Sequence, residues 1–179
     1  MFTDNTLTPK EAVRLCALGI LADGPQAYGT LANAVRHFVS HIIGPSLDVM
    51  GQSIELLKYE GLVVVDGDER AKADTEIAIS DLGREELHTL LTANVRHGAT
   101  ELNKLIVALK FRFLHTLSAE DQARQIELLT DMCENELDRL ETLKQHHAGD
   151  DGLLGDWLEH DIELVGDRIQ WLGELKKRY

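Results

Sequence analysis

Apolar residues recur at helical spacing along most of the chain, and in one short stretch the spacing drops to two. Thr8 stands before Pro9, Lys10 and Glu11, a capping residue followed by proline at the first helical position, so a helix is predicted to begin there. Val13, Leu15, Cys16, Leu18, Gly19 and Leu21 leave this helix little polar face, which predicts burial on most sides. Asp23, Gly24 and Pro25 break it. A second helix is predicted from about Tyr28 to Ile42, with Leu31, Val35, Phe38 and Ile42 on its apolar side. Gly44, Pro45 and Ser46 separate it from a third that runs to about Tyr59, in which Leu47, Met50, Ile54 and Leu57 share one face.

Past Gly61 the period changes. Leu62 to Val65 is rich in β-branched residues and meets a turn signal at Asp66, Gly67 and Asp68, and Thr75 to Ile79 alternates polar and apolar. Two such strands around a polar loop make a hairpin. Ser80 and Asp81 then cap a helix from Leu82 to about Ala93. Three helices, a hairpin and a closing helix form the winged helix-turn-helix plan. The predicted fold class is therefore mainly α: an α+β winged helix-turn-helix with a two-stranded wing, then an all-α C-terminal part.

From Ala93 onward the pattern is helical. One helix is predicted over Val95 to Leu117, and a second follows the cap at Ser118, with Ile126, Leu129, Cys133, Leu137 and Leu140 as its stripe. After the loop Gly149 to Gly152, the last helix carries Leu154, Leu158, Ile162, Val165, Ile169 and Leu172 on one side. Trp157, Leu164 and Trp171 recur every seven residues beside them. One neighbouring helix cannot cover so broad an apolar surface. Tryptophan favours interface cores and heptad spacing suits helix pairing, so a homodimer is expected through Trp157, Leu164, Trp171 and Leu172. The expected organisation is a DNA-binding domain over residues 1–93 and a helical dimerisation domain over 94–179.

These residues resemble the PadR family of bacterial transcription regulators. Leu15 to Pro25, reading Leu-Cys-Ala-Leu-Gly-Ile-Leu-Ala-Asp-Gly-Pro, is similar to the family's opening helix and its Gly-Pro turn. Tyr28 stands where the family has the tyrosine that opens its second helix. Ile54 to Val63 resembles the end of the recognition helix entering the wing, and Ile77 to Leu87 the closing strand and the Ser-x-x-Gly helix start. Regulators of the MarR type place dimer helices on both sides of the winged helix, whereas here the winged helix begins near residue 9. The resemblance implies a homodimer on a palindromic operator, repression in most members, and release by a small-molecule effector in many. It also implies a DNA contact at Tyr28. Gly51 and Glu55 with Leu56 depart from the family, which usually has a tyrosine and basic residues at those places.

Charge complicates the reading. The net charge is −13, split as −7 over residues 1–93 and −6 over 94–179, so double-stranded DNA must be met by a local patch. Gln52 and Ser53 on the third helix suit base edges, and Ser46 at its start suits a phosphate. Arg36, His37 and His41 on the second helix, Lys58 on the third, and Arg70 with Lys72 at the wing tip are the candidate cations. His37 and His41 have no nearby cysteine or glutamate to complete a metal site, so neither metal nor cofactor is expected. No phosphate loop, His-Glu-x-x-His or serine elbow is present, and an enzyme is not expected. Cys16 and Cys133 read as buried thiols, and the absence of a signal or spanning segment points to the cytoplasm. Phe111, Phe113 and Trp157 leave room for an effector pocket. The rival function is a winged-helix protein-interaction module that has lost DNA binding, which the acidic third helix favours.

Overall fold

Thr8 caps the first helix as its position predicts. Its hydroxyl accepts from the Glu11 N–H at 3.3 Å, and the Glu11 carboxylate accepts from the Thr8 N–H at 2.7 Å, a closed capping box. Donation to it from the Thr8 hydroxyl, also at 2.7 Å, and from the Thr8 N–H holds the Glu11 carboxyl below its usual range. The computed structural model describes residues 6–44, 50–66, 75–96 and 100–178. Among the described residues the helices are α1 (Pro9–Ala22), α2 (Tyr28–Ile43), α3 (Met50–Tyr59), α4 (Asp81–Thr92), α5 (Glu101–Phe113), α6 (Ala119–His146) and α7 (Leu154–Lys176). The strands are β1 (Gln26–Ala27), β2 (Val63–Asp66) and β3 (Glu76–Ile79), and a short 3-10 turn spans Leu114–Thr116. Two compact units result, Met1–Leu117 and Ser118–Tyr179.

The first unit is a winged helix-turn-helix built around α1. Every residue from Ala12 to Leu21 except Arg14 is buried, and α2, α3, α4, α5 and β3 all pack on it. Arg14 turns its place in this helix to use: one guanidinium nitrogen reaches Glu86 of α4 at 2.9 Å, and the other reaches Glu60, just past α3, at 2.7 Å. The wing is the predicted hairpin, with Val63 opposite Ile79 and Val65 opposite Ile77. A third strand joins it, because Gln26 and Ala27 pair with Ile77 and Glu76 to give the antiparallel order β1-β3-β2. Two residues after a Gly-Pro turn carry no alternation from which this strand could be predicted. Ser80 fastens the hairpin to α4: its hydroxyl accepts from the Gly83 N–H and donates to the Gly61 carbonyl. Gly83 sits so close to the Leu62 carbonyl that a Cβ would collide with it.

The helix predicted from Val95 starts instead at Glu101, where the Thr100 hydroxyl accepts from the Asn103 N–H. The preceding segment is drawn into other bonds. Asn94 bridges to Thr6, Arg96 donates to the Thr6 hydroxyl, and Asn103 donates to the Arg96 carbonyl. The unit boundary accordingly lies after Leu117 and not after Ala93. Helix α5, assigned from sequence to the C-terminal part, packs on α1 and α2, and the Phe113 ring lies where a Cβ on Gly19 would be, 2.5 Å away. Lys110 on α5 is 1% exposed. Its ammonium donates to the Leu91 carbonyl and, at 2.7 Å, to the Ala93 carbonyl, satisfying the C-terminal end of α4.

The second unit is a pair of helices. Leu158, Val165 and Leu172, seven residues apart, are the buried residues of α7, which packs on α6. Lys176 meets Glu127 at 3.0 Å and Lys144 meets Glu159 at 3.2 Å, pinning the pair near both ends. Cys16 is buried and its thiol is pushed up to about 12, whereas Cys133 is only half-buried, beside Arg168. No helix among the described residues is long and apolar enough to cross a membrane.

Burial lowers the Lys110 ammonium from the ordinary 10.5 to about 8. The folded protein therefore releases this proton before the unfolded chain does. The stabilisation is complete above 10.5 and is lost as pH falls through about 8. Unfolding free energy of the wild type relative to Lys110→Met is expected to rise across that window by up to about 3 kcal/mol. Urea melts at stepped pH measure it, and a pH-independent difference contradicts it.

Candidate nucleic-acid interface

The second and third helices and the wing meet at Tyr28. As the first residue of α2, Tyr28 donates its N–H to the Thr75 carbonyl at 2.9 Å, which ties the helix start to the edge of β3. Its phenol and the Glu55 carboxyl of α3 line the same cavity. Partial burial and then the charge of Glu55 raise the phenol above its usual range. Tyr28, Glu55 and Lys58 line a cavity of about 250 Å³ whose apolar wall includes Ile54, Val65 and Ile77.

Around this corner α3 buries Ile54 and Leu57 and exposes Glu55, Leu56, Lys58 and Tyr59. Tyr59 is 89% exposed and Leu56 43%, so aliphatic and aromatic surface accompanies the charges. On α2, Arg36 is exposed and donates to the Asn33 side chain at 2.9 Å. His37 and His41, one turn apart, stack with ring centroids 4.1 Å apart, and Nδ1 of His41 lies 2.7 Å from the His37 carbonyl. No group of three or more metal-binding side chains occurs among the described residues.

Tyr28 and Lys58 thus come together on one cavity, and Arg36, His37 and His41 share the exposed surface of α2. Gln52 and Ser53 lie within α3, but their side chains are outside the described part. Ser46, expected to open the third helix, and Arg70 and Lys72, expected at the wing tip, lie outside the described residues. Of the residues expected to pair subunits, Trp157, Leu164 and Trp171 are 54%, 50% and 49% exposed, while Leu172 is buried in the α6–α7 pairing.

Two features went unread in the sequence. Tyr28 and Glu55 are far apart in the chain, and only the packing of α2 on α3 makes them neighbours. Arg112, exposed on α5, lies 4.4 Å from the Phe38 ring and 5.0 Å from that of Phe113, a cation held over two aromatic faces. The apolar position of Phe38 is legible from spacing. The cation above it is not.

A model of the AphA-like transcriptional regulator family matches residues 2–176. No curated protein matches the chain significantly. Among solved structures it is similar to the transcriptional regulator PadR from Bacillus subtilis in space group H32, with 14% identity over 93% of this chain and 98% of that one and a TM-score of 0.40. The structure of Bacillus subtilis PadR with operator DNA matches at 15% identity over 96% and 100% of the two chains, with a TM-score of 0.38. The same protein with p-coumaric acid matches at 16% identity over 96% and 97%, with a TM-score of 0.36.

Because Glu55 contributes to the raised phenol, Glu55→Gln is expected to move one tyrosine titration of the chain to lower pH. Tyr28→Phe is expected to remove that same step. Phenolate absorbance followed through an alkaline titration reads both, and a wild-type curve unchanged in Glu55→Gln contradicts the influence of Glu55 on the phenol.

Proposed function

The chain belongs to the AphA-like transcriptional regulators, and on that premise we propose that it is a homodimer that binds a palindromic operator through its winged helix and acts as a repressor. The observation that carries this reading is the match to a regulator family over almost the whole chain, together with the exposed α3 beside the wing. A recognition helix offers its exposed side to base edges while neighbouring helix ends and the wing hold phosphates. In this reading Tyr28, Arg36, His37, Ser46, Lys58, Arg70 and Lys72 meet the backbone, and Gln52 and Ser53 meet bases. Residues 1–93 supply the DNA-binding part and residues 94–179 the pairing, with α5 closing the core of the first unit and α7 carrying the pairing row. A small-molecule effector that releases the operator completes the reading as the resemblance to PadR regulators implies it.

Support for pairing lies on α7. Trp157, Leu164 and Trp171 each leave about half of their surface exposed and repeat every seven residues next to the buried Leu158, Val165 and Leu172. An exposed row of this kind has the composition of an interface core.

Binding to a duplex from the region upstream of the protein's own gene is expected, with affinity that falls steeply as salt rises. Arg70→Ala and Lys72→Ala should each weaken binding to all sequences and reduce the salt slope by about one. A wild type with no salt-dependent affinity would favour the competing use of this surface as a protein-docking face, to which the exposed Leu56 and Tyr59 lend themselves. For pairing, Trp171→Ala is expected to weaken the dimer roughly 30-fold or more, as loss of a central tryptophan anchor does. Sedimentation equilibrium measures it, and an unchanged dimer places the interface elsewhere.

A further inference from the structure

The cavity where α2, α3 and the wing meet is not lined like a gap in an apolar core. Ile54 of α3 and the cross-strand pair Val65 and Ile77 make up its apolar wall. Ile54 and Ile77 are 3% and 4% exposed, so this wall belongs to the packed interior and keeps its shape. The rest of the lining is polar: Tyr28, Glu55, Lys58 and Thr75. The bond from the Tyr28 N–H to the Thr75 carbonyl holds two of these residues together through their backbones. Glu55 and Lys58 are three residues apart on α3, which puts a carboxylate and an ammonium on one side of one helical turn. At about 250 Å³ the cavity exceeds the roughly 150 Å³ that suffices to hold benzene. It has room for a small organic molecule.

We propose that this cavity binds a free α-amino acid with a branched aliphatic side chain. Such a ligand supplies the effector of the reading above, on which its consequence for DNA rests. Its ammonium meets Glu55, its carboxylate meets Lys58, and its side chain lies against Ile54, Val65 and Ile77. A carboxylate only accepts and an ammonium only donates, so the pair on α3 selects a molecule that carries both charges. An amine alone has nothing to offer Lys58, and an acid alone is repelled by Glu55. Tyr28 adds a hydroxyl that can donate or accept, and a ring face that attracts an ammonium. The aliphatic wall has no hydrogen-bonding group, so a polar side chain placed there loses its water without replacement. The sign of the effect on DNA follows from the lining. Tyr28 and Lys58 are backbone contacts in the reading above, and a ligand that engages both withdraws them from phosphate.

The experiment titrates the full-length chain with leucine, isoleucine and valine by calorimetry. Isoamylamine, which lacks the carboxylate, and isocaproate, which lacks the ammonium, serve as comparisons. The wild type is expected to bind one of the three amino acids at one site per chain, about tenfold more tightly than either comparison compound. Glu55→Gln, nearly isosteric, keeps the fold, as circular dichroism verifies, and is expected to bring leucine down to the level of isocaproate. Lys58→Met is expected to bring it down to the level of isoamylamine. A merely structural role for either residue would weaken every ligand alike and preserve their ranking. If none of the three amino acids binds at millimolar concentration, or if both variants bind them as the wild type does, the site is overturned. Saturating ligand is also expected to weaken wild-type affinity for the upstream duplex about tenfold. Binding with unchanged duplex affinity upholds the site and overturns its role as effector. A wild type with no salt-dependent affinity for any duplex overturns the DNA-binding reading, while calorimetry alone still decides the site.

Discussion

The almost complete burial of α1 is the constraint on which the first unit depends. A helix with one polar interruption between Ala12 and Leu21 has no side to give to water, so its surroundings must be supplied from the whole length of the unit. Helices α2, α3 and α4 and strand β3 cover part of it. The rest falls to α5, which arrives after the winged helix is otherwise complete and drives Phe113 against Gly19. Arg14, the interruption, is answered by carboxylates on both sides, so the one polar position on α1 also joins the end of α3 to α4. The placement of the exposed helix and wing follows from a helix that itself touches nothing outside.

This burial is also why the fold was largely legible and the unit boundary was not. The capping box at Thr8, the stop at Gly24 and Pro25, the β-branched run from Leu62 and the cap at Ser80 are local signals, and local geometry obeys them. That α1 is apolar all round was equally plain. Which later segment closes it depends on long-range packing, and the run from Val95 to Leu117 read as continuous with the helices after it. In the fold, Asn94 and Arg96 bond back to Thr6, and the helix is delayed until Thr100 can cap it. Strand β1 escaped for a different reason: with two residues there is no period to detect.

The candidate site divides the same way. Tyr28 could be found because it opens a helix after a turn, and Lys58 because it ends one. Their convergence on a single cavity with Glu55 is a product of tertiary packing. Glu55 reads in the sequence as an isolated charge on the third helix, and only the packing of α2 beside it brings a phenol onto the same cavity. Cys133 likewise read as buried from its stripe, yet α6 is wider than α7 can cover and leaves it half-exposed.

Helix α7 carries two rows of heptad spacing displaced by a single residue, with Trp157, Leu164 and Trp171 each directly preceding Leu158, Val165 and Leu172. Neighbouring residues on an α-helix are about 100° apart around its axis. The exposed row consequently lies at roughly a right angle to the buried one, not behind it. A helix seated on the tryptophans would form a corner with α6, so that α7 becomes a vertex shared by two adjoining sides of a bundle. Pairing of two copies in this way would close a square of helices and would not stack one flat layer on another.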